Sequence, residues 1–199
     1  MLFDTIAPIY ALFFNYQVRY YRKVLDRMKD WIDVDEHNKI LDFGCGTGAL
    51  SYALQERGLE VVGVDTSAGM LRRAKNKLQD TGVKLIKIEP GEDLPFDDDS
   101  FDLAISSFVI HGLKPEERRK VYGELSRVSK ADIVFHDYNR NRSIITDIAE
   151  YLERGDYFNF IKVAEGEMKE FFDSVRIVDV DKRAAWYIIK KARDGCDKG

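Results

Sequence analysis

Between residues 39 and 138, five short apolar runs alternate with stretches whose apolar residues recur at helical spacing, and this limits the fold most tightly. Neighbouring parallel strands need a crossover between them, most often a helix, so the alternation predicts a parallel, doubly wound α/β sheet. The runs fall at residues 39–43, 59–65, 83–88, 101–108 and 133–138. The fourth is almost wholly apolar, as a strand covered on both faces should be. The helices carry their own punctuation. Leu50, Ala53 and Leu54 share one face of a helix over 47–57 that Gly58 stops. Ser67 is placed to cap a helix running to about Gln79, with Met70, Ala74 and Leu78 on one face and Gly82 at its end. Pro115 opens another, with Glu116 and Glu117 in its first turn and Val121, Leu125 and Val128 facing the core.

The two ends depart from this rhythm. Residues 2–32 read as helix, in one or two pieces around Pro8, with Val18, Tyr21, Val24 and Met28 in helical register. Residues 139–173 hold two helical pieces rich in aromatics, including Tyr151, Tyr157, Phe158 and Phe160. Residues 175–180 and 184–190 are strand-like and close together, which predicts an antiparallel hairpin at the sheet edge. The expectation is one domain over residues 1–192: a mostly parallel seven-stranded sheet with a C-terminal hairpin, a helical lid over about 1–32, and a disordered tail at 193–199.

Bulk composition excludes several classes of function. The formal net charge is −4 and Lys and Arg are dispersed among acids, so there is no basic stripe for nucleic acid. The two cysteines, Cys45 and Cys196, give neither a disulfide framework nor metal-ligand spacing, which fits a reducing cytoplasm and no metal. No run of about 18 apolar residues predicts a membrane span. Asp4, Pro8 and Asn15 interrupt the apolar N-terminus, which does not read as a signal peptide. Nothing in the sequence bears on oligomeric state.

Chemistry is expected where the first run ends. Open α/β sheets bind ligands beyond the carboxyl ends of their strands, where the strand order reverses. There Gly44, Gly46 and Gly48 stand at alternate positions before a helix. Gly44-x-Gly46-x-x-Ala49 also satisfies a dinucleotide fingerprint, and Asp65 after the second run suits a ribose in either case. Asp42 separates the two. A carboxylate beneath a pyrophosphate would repel it, whereas it complements a ligand that is positive at that point, as the amino group and sulfonium of S-adenosylmethionine are.

With Ile40-Leu41-Asp42-Phe43-Gly44-Cys45-Gly46-Thr47-Gly48, Val62-Gly63-Val64-Asp65, Glu92-Asp93-Leu94-Pro95-Phe96 with Ser100-Phe101-Asp102, and the exit at 106–113, the chain resembles the class I S-adenosylmethionine-dependent methyltransferases. The likeness is to their compact group that includes quinone C-methyltransferases. The opening residues 3–7 and Tyr10 resemble the helix that lids such sites. The resemblance covers roughly residues 1–138 and implies methyl transfer to a small-molecule acceptor, with S-adenosylhomocysteine as product. It implies that Asp42 and the backbone of Gly44, Cys45 and Gly46 face the methionine end, with Gly48 and Tyr10 also binding the cofactor. Asp65 and Thr66 would meet the ribose, Met70 the adenine face, Gly91, Glu92 and Asp93 its edge, and Ser107 the exit of the fourth strand. The family's acidic residue at the adenine edge falls on Pro90, a departure that shifts this role to Gly91 with Glu89 or Glu92. His111 and His136 are candidate general bases, and His136 with Tyr138 candidate acceptor contacts. A non-catalytic cofactor-binding protein and an NAD(P)-dependent oxidoreductase are the alternative readings.

Overall fold

The structure, a computed structural model, describes residues 13–141 and 156–191. Residues 3–7, Tyr10, Tyr151 and the tail from 193 lie outside the described residues. The elements follow in the order α1 (Phe14–Arg27), β1 (Lys39–Phe43), α2 (Ala49–Gln55), β2 (Glu60–Asp65), α3 (Ala68–Leu78), β3 (Lys84–Lys87) and β4 (Phe101–Ser107). After these come α4 (Pro115–Val128), β5 (Ser129–Tyr138), α5 (Tyr157–Phe171), β6 (Arg176–Asp179) and β7 (Ala184–Lys190).

Among the described residues the strands form one sheet of order β3-β2-β1-β4-β5-β7-β6. The pairs from β3 through β5 are parallel, and β7 is antiparallel to both β5 and β6. The fold is therefore the predicted Rossmann-like one. Successive residues of a strand face opposite sides, so each central strand feeds two cores. Ile40, Leu103, Val134 and Ile188 pack with Val18 and Leu25 of α1 and Leu50 and Leu54 of α2. Leu41, Ala104, Ile133 and Ile189 pack with Tyr122 and Leu125 of α4 and Phe160 and Met168 of α5.

Local chemistry explains the element boundaries. The Ser67 hydroxyl caps α3 by accepting from the Met70 N–H at 3.1 Å. Pro115 starts α4, and the Glu117 carboxylate accepts from the Lys114 N–H at 2.8 Å. β5 begins four residues before the apolar run does, because α4 passes directly into it at Ser129. The Ser129 hydroxyl donates to the Asp132 carbonyl at 2.6 Å, and the β4–β5 register shifts between Phe101 and Leu103 to take up this polar start. The C-terminal hairpin forms as expected, but with β7 inside and only β6 at the edge. Residues 184–189 are buried without alternation, which fits a strand covered on both faces.

One polar cluster joins α4 to α5. The fully buried Arg118 guanidinium donates from Nε and Nη2 to the two Glu167 oxygens, each at 2.8 Å, and from Nη1 to Asp156 at 2.8 Å and to the Leu113 carbonyl at 2.6 Å. The Tyr122 hydroxyl adds a bond to Glu167 at 3.0 Å. Removing one partner of such a pair strands a buried charge, whereas removing both does not. Arg118→Met should therefore lower unfolding stability by about 3–5 kcal/mol in urea titrations. Adding Glu167→Gln should recover a large part of that loss. Equal losses in the single and double variants would contradict this account of the cluster.

Candidate active site

β1 lies between β2 and β4, so the crossovers leaving β1 and β4 run in opposite directions and a crevice opens at their carboxyl ends. A cavity of about 810 Å³ occupies it, within the size range of small-molecule sites. The glycine loop after β1 forms its floor. The N–H groups of Gly44 and Cys45 donate to the Val64 carbonyl at 2.8 and 3.0 Å, stitching the loop to the end of β2. Asp65 completes the seam: Oδ2 accepts from the Gly46 N–H and Oδ1 from the Ser67 N–H, both at 2.8 Å.

Two of the three loop glycines divide the labour. Gly46 has φ +55°, and a Cβ there would meet nothing within 4 Å, so the backbone turns left-handed beside the open cavity. Gly48, at φ +83°, packs instead: a Cβ would lie 2.5 Å from Leu78 Cδ1 of α3. Gly48 does not line the cavity, which separates it from the loop residues expected at the ligand.

Asp42 lines the cavity with 1% of its surface exposed, on the α1–α2 side of β1. The Ser51 hydroxyl of α2 donates to its Oδ2 at 2.5 Å. Burial pushes its carboxyl up to about 7; the Ser51 bond opposes this and the charge of Asp65 adds to it. The Cys45 thiol is raised well above its usual range by burial and by the same two carboxylates, so the thiol packs as an unreactive side chain.

The cavity brings together most of the residues singled out from sequence: Asp42, Gly44, Cys45, Gly46, Asp65, Thr66, Met70, Gly91, Glu92, Asp93 and Ser107 all line it. It does not include His111, His136 or Tyr138. His136 is sealed behind the wall, with Nδ1 3.0 Å from Ser107 Oγ and Nε2 3.1 Å from the Tyr20 hydroxyl, and burial lowers its pKa to about 4. The neighbouring Asp137 serves His111 instead, because adjacent strand residues face opposite ways. Asp137 Oδ1 lies 2.7 Å from His111 Nδ1, and Oδ2 accepts from the Ile110 and His111 N–H groups at 3.1 and 3.3 Å. That carboxylate thus fixes the turn leaving β4. Tyr138 packs against His111 and Phe108.

Other cavity residues carried no sequence signal. Gln17 and Tyr21 reach it from α1, where Tyr21 reads simply as part of the apolar face. Glu116, Lys120 and Glu124 line it from α4 at i, i+4 spacing, which also describes an ordinary solvated helix face. Phe108 holds φ +53°, a costly conformation for a non-glycine residue and one that clusters at functional sites.

Residues 40–132 match a family model described as a methyltransferase domain. The chain is 31% identical over 144 residues to an uncharacterized methyltransferase of Anoxybacillus flavithermus, covering 69% of this chain and 64% of that relative. It is 34% identical over 135 residues to a demethylmenaquinone methyltransferase of Paenarthrobacter aurescens, covering 65% and 49%. The chain thus spans about half to just under two-thirds of the length of these curated relatives. The fold agrees with a Methanococcus maripaludis protein provisionally described as an S-adenosylmethionine-dependent methyltransferase, with TM-score 0.73 at 16% identity over 94% of this chain and 93% of that one. Among the described residues, no helix is long and apolar enough to cross a membrane.

The buried Asp42 carboxyl should show in the protein's stability. Asp42 titrates near 7 when folded and near 3.8 when unfolded, so its favourable contribution, present at low pH, is lost as pH rises towards 7. Between pH 5 and pH 8 the ligand-free protein should lose about 2–3 kcal/mol relative to Asp42→Asn, read from urea unfolding at each pH. Parallel pH dependences for the two proteins would mean that Asp42 is solvated.

Proposed function

We propose that the cavity binds S-adenosylmethionine beside a small-molecule acceptor and that the chain catalyses in-line methyl transfer between them. The observation that carries this reading is Asp42: a buried carboxylate held by Ser51, placed at a ligand crevice in a stretch that matches a methyltransferase-domain model. Such a group is costly to ionise until a cation arrives. The pyrophosphate of a dinucleotide would make that cost worse, which disfavours the oxidoreductase reading.

When bound, the cofactor supplies an electrophilic methyl group on a sulfonium. The chain's residues then bind, orient and exclude water. Asp42 takes the positive methionine end, and Asp65 the ribose hydroxyls. Met70 and Ile88 hold the adenine faces. Glu89 and the Gly91–Asp93 stretch offer its edge an acceptor and N–H groups that Pro90 lacks. The acceptor lies towards Ser107, between α1 with Gln17 and Tyr21 and the wall of α4. Alignment of the two reactants is the main catalytic contribution. His136, neutral and sealed, does not touch the acceptor in this scheme.

Charge supports the scheme as well. Among the described residues, Asp42, Asp65, Glu89, Glu92, Asp93, Glu116, Glu117 and Glu124 line the cavity with the cation Lys120, and from outside the lining Arg127 pairs with Glu124 and Lys87 with Glu89. An acidic cavity favours the sulfonium over the neutral thioether product, so methyl transfer itself weakens the hold on the product.

In a thermal-shift experiment, S-adenosylmethionine or S-adenosylhomocysteine near 1 mM should raise Tm, and NAD or NADH should not. Asp42→Ala should weaken S-adenosylmethionine binding by about tenfold or more, the scale of one charge-assisted contact. Hydroxylated aromatics, suggested by the quinone-linked name of one relative, lead the acceptor screen. A shift with NAD(H) alone, or with neither methyl-donor ligand, contradicts the proposal.

A further inference from the structure

Behind the exit of β4, five side chains from four parts of the chain form one hydrogen-bonded line. The Tyr21 hydroxyl of α1 lies 3.0 Å from Ser107 Oγ, which lies 3.0 Å from His136 Nδ1 on β5. His136 Nε2 lies 3.1 Å from the Tyr20 hydroxyl, and that hydroxyl donates at 2.8 Å to Oδ2 of Asp181 in the β6–β7 turn. One end of the line, Tyr21 and Ser107, is cavity wall; the other is exposed.

The direction of every proton in the line follows from its outer end. A carboxylate only accepts, so Tyr20 must donate to Asp181. The Tyr20 oxygen then accepts from His136, which puts the imidazole proton on Nε2 and leaves Nδ1 a bare acceptor. Ser107 donates to Nδ1, and Tyr21 donates to Ser107. Neutral imidazole is required throughout, and the surroundings enforce it: His136 is 1% exposed and ringed by Tyr20, Tyr21, Phe108 and Trp186. Burial lowers its pKa to about 4 against the weaker pull of Asp137 and Asp181.

We infer that this line makes the acceptor end of the cavity a hydrogen-bond-accepting surface, so that the methyl acceptor is a molecule presenting an O–H or N–H to Tyr21 and Ser107. Both wall hydroxyls spend their protons away from the cavity and can offer it only lone pairs. Tyr21 and Ser107 are then specificity-determining residues, and His136, Tyr20 and Asp181 are positioning residues that set their polarity. The inference rests on the methyl-transfer reading for what occupies the cavity, but the polarity of the line stands apart from it.

Asp181 allows the polarity to be reversed by a single amide. Its Oδ1 accepts from the Arg183 N–H at 2.8 Å and the Ala184 N–H at 3.1 Å, which pins the carboxyl group. In Asp181→Asn the amide oxygen keeps those two bonds and the NH2 faces Tyr20 as a donor. Every proton in the line should then turn round, moving the imidazole proton to Nδ1 and pointing the Tyr21 proton at the cavity.

The test is long-range 1H–15N NMR of histidine-labelled protein, with His136 assigned by loss of its signals in His136→Gln. Wild type should show neutral Nε2–H imidazole from pH 6 to 8, and Asp181→Asn the Nδ1–H tautomer. An Nδ1–H tautomer or an imidazolium in wild type, or an unchanged tautomer in the variant, overturns the inference. The wall is tested with phenol and anisole titrated into protein saturated with S-adenosylhomocysteine. Phenol should bind about threefold to tenfold more tightly in wild type, the worth of one hydrogen bond, and the preference should vanish or reverse in Asp181→Asn. Equal binding of the two probes, or binding of neither, overturns the recognition role. Failure of S-adenosylhomocysteine to bind at all would instead strike the methyl-transfer reading, and the tautomer measurement would still report on the line.

Discussion

Parallel strands wound in opposite directions from a shared centre cannot be capped at their carboxyl ends by their own crossovers, and here that centre lies between β1 and β4. The rest of the site follows from that opening. The chain leaves β1 through a loop that must turn three times with positive φ, and it is held down by bonds to Val64 and Asp65 at the end of β2. Asp65 serves two masters at once, the glycine loop and the turn into α3. The floor of the cavity is thus braced before any ligand arrives, as a preorganised site requires.

Asp42 is the exception to the economy of this floor. Burial forces the carboxyl at this strand position towards its neutral form. A group kept at such cost in stability marks a function. The same sheet provides a second buried polar system, the line from Tyr21 to Asp181, in which no member carries a charge until the exposed end. One system prepares the cavity for a cation. The other prepares it for a donor. On the proposed methyl-transfer reading, these two systems face its two reactants.

Much of this was legible in the sequence because the signals were local. The five apolar runs, the Ser67 cap, the Pro115 start and the spacing of Asp42, Gly44 and Gly46 all act within a few residues, and Asp65 stands at the end of the very next run. What escaped notice depends on contacts across the sheet. Gly48 reads as a ligand glycine, yet its constraint is Leu78, thirty residues on in α3. His136 and Tyr138 read as acceptor contacts because they end a strand, but β7 pairs alongside and α1 lies over His136, closing it off. Tyr20 and Tyr21 differ by one position on α1 and meet opposite ends of the same imidazole line, which periodicity cannot reveal. The acidic wall of α4 has the spacing of any solvated helix face.

The central claim is that a neutral, buried Asp42 carboxyl becomes an anion when the cationic cofactor binds. Isothermal titration of S-adenosylmethionine at pH 6, in buffers of different ionisation enthalpy, counts the protons released. The account predicts release of close to one proton at pH 6, falling to about zero at pH 8.5, with the release abolished in Asp42→Asn. Binding without proton release at pH 6, or release that persists in the variant, would contradict it.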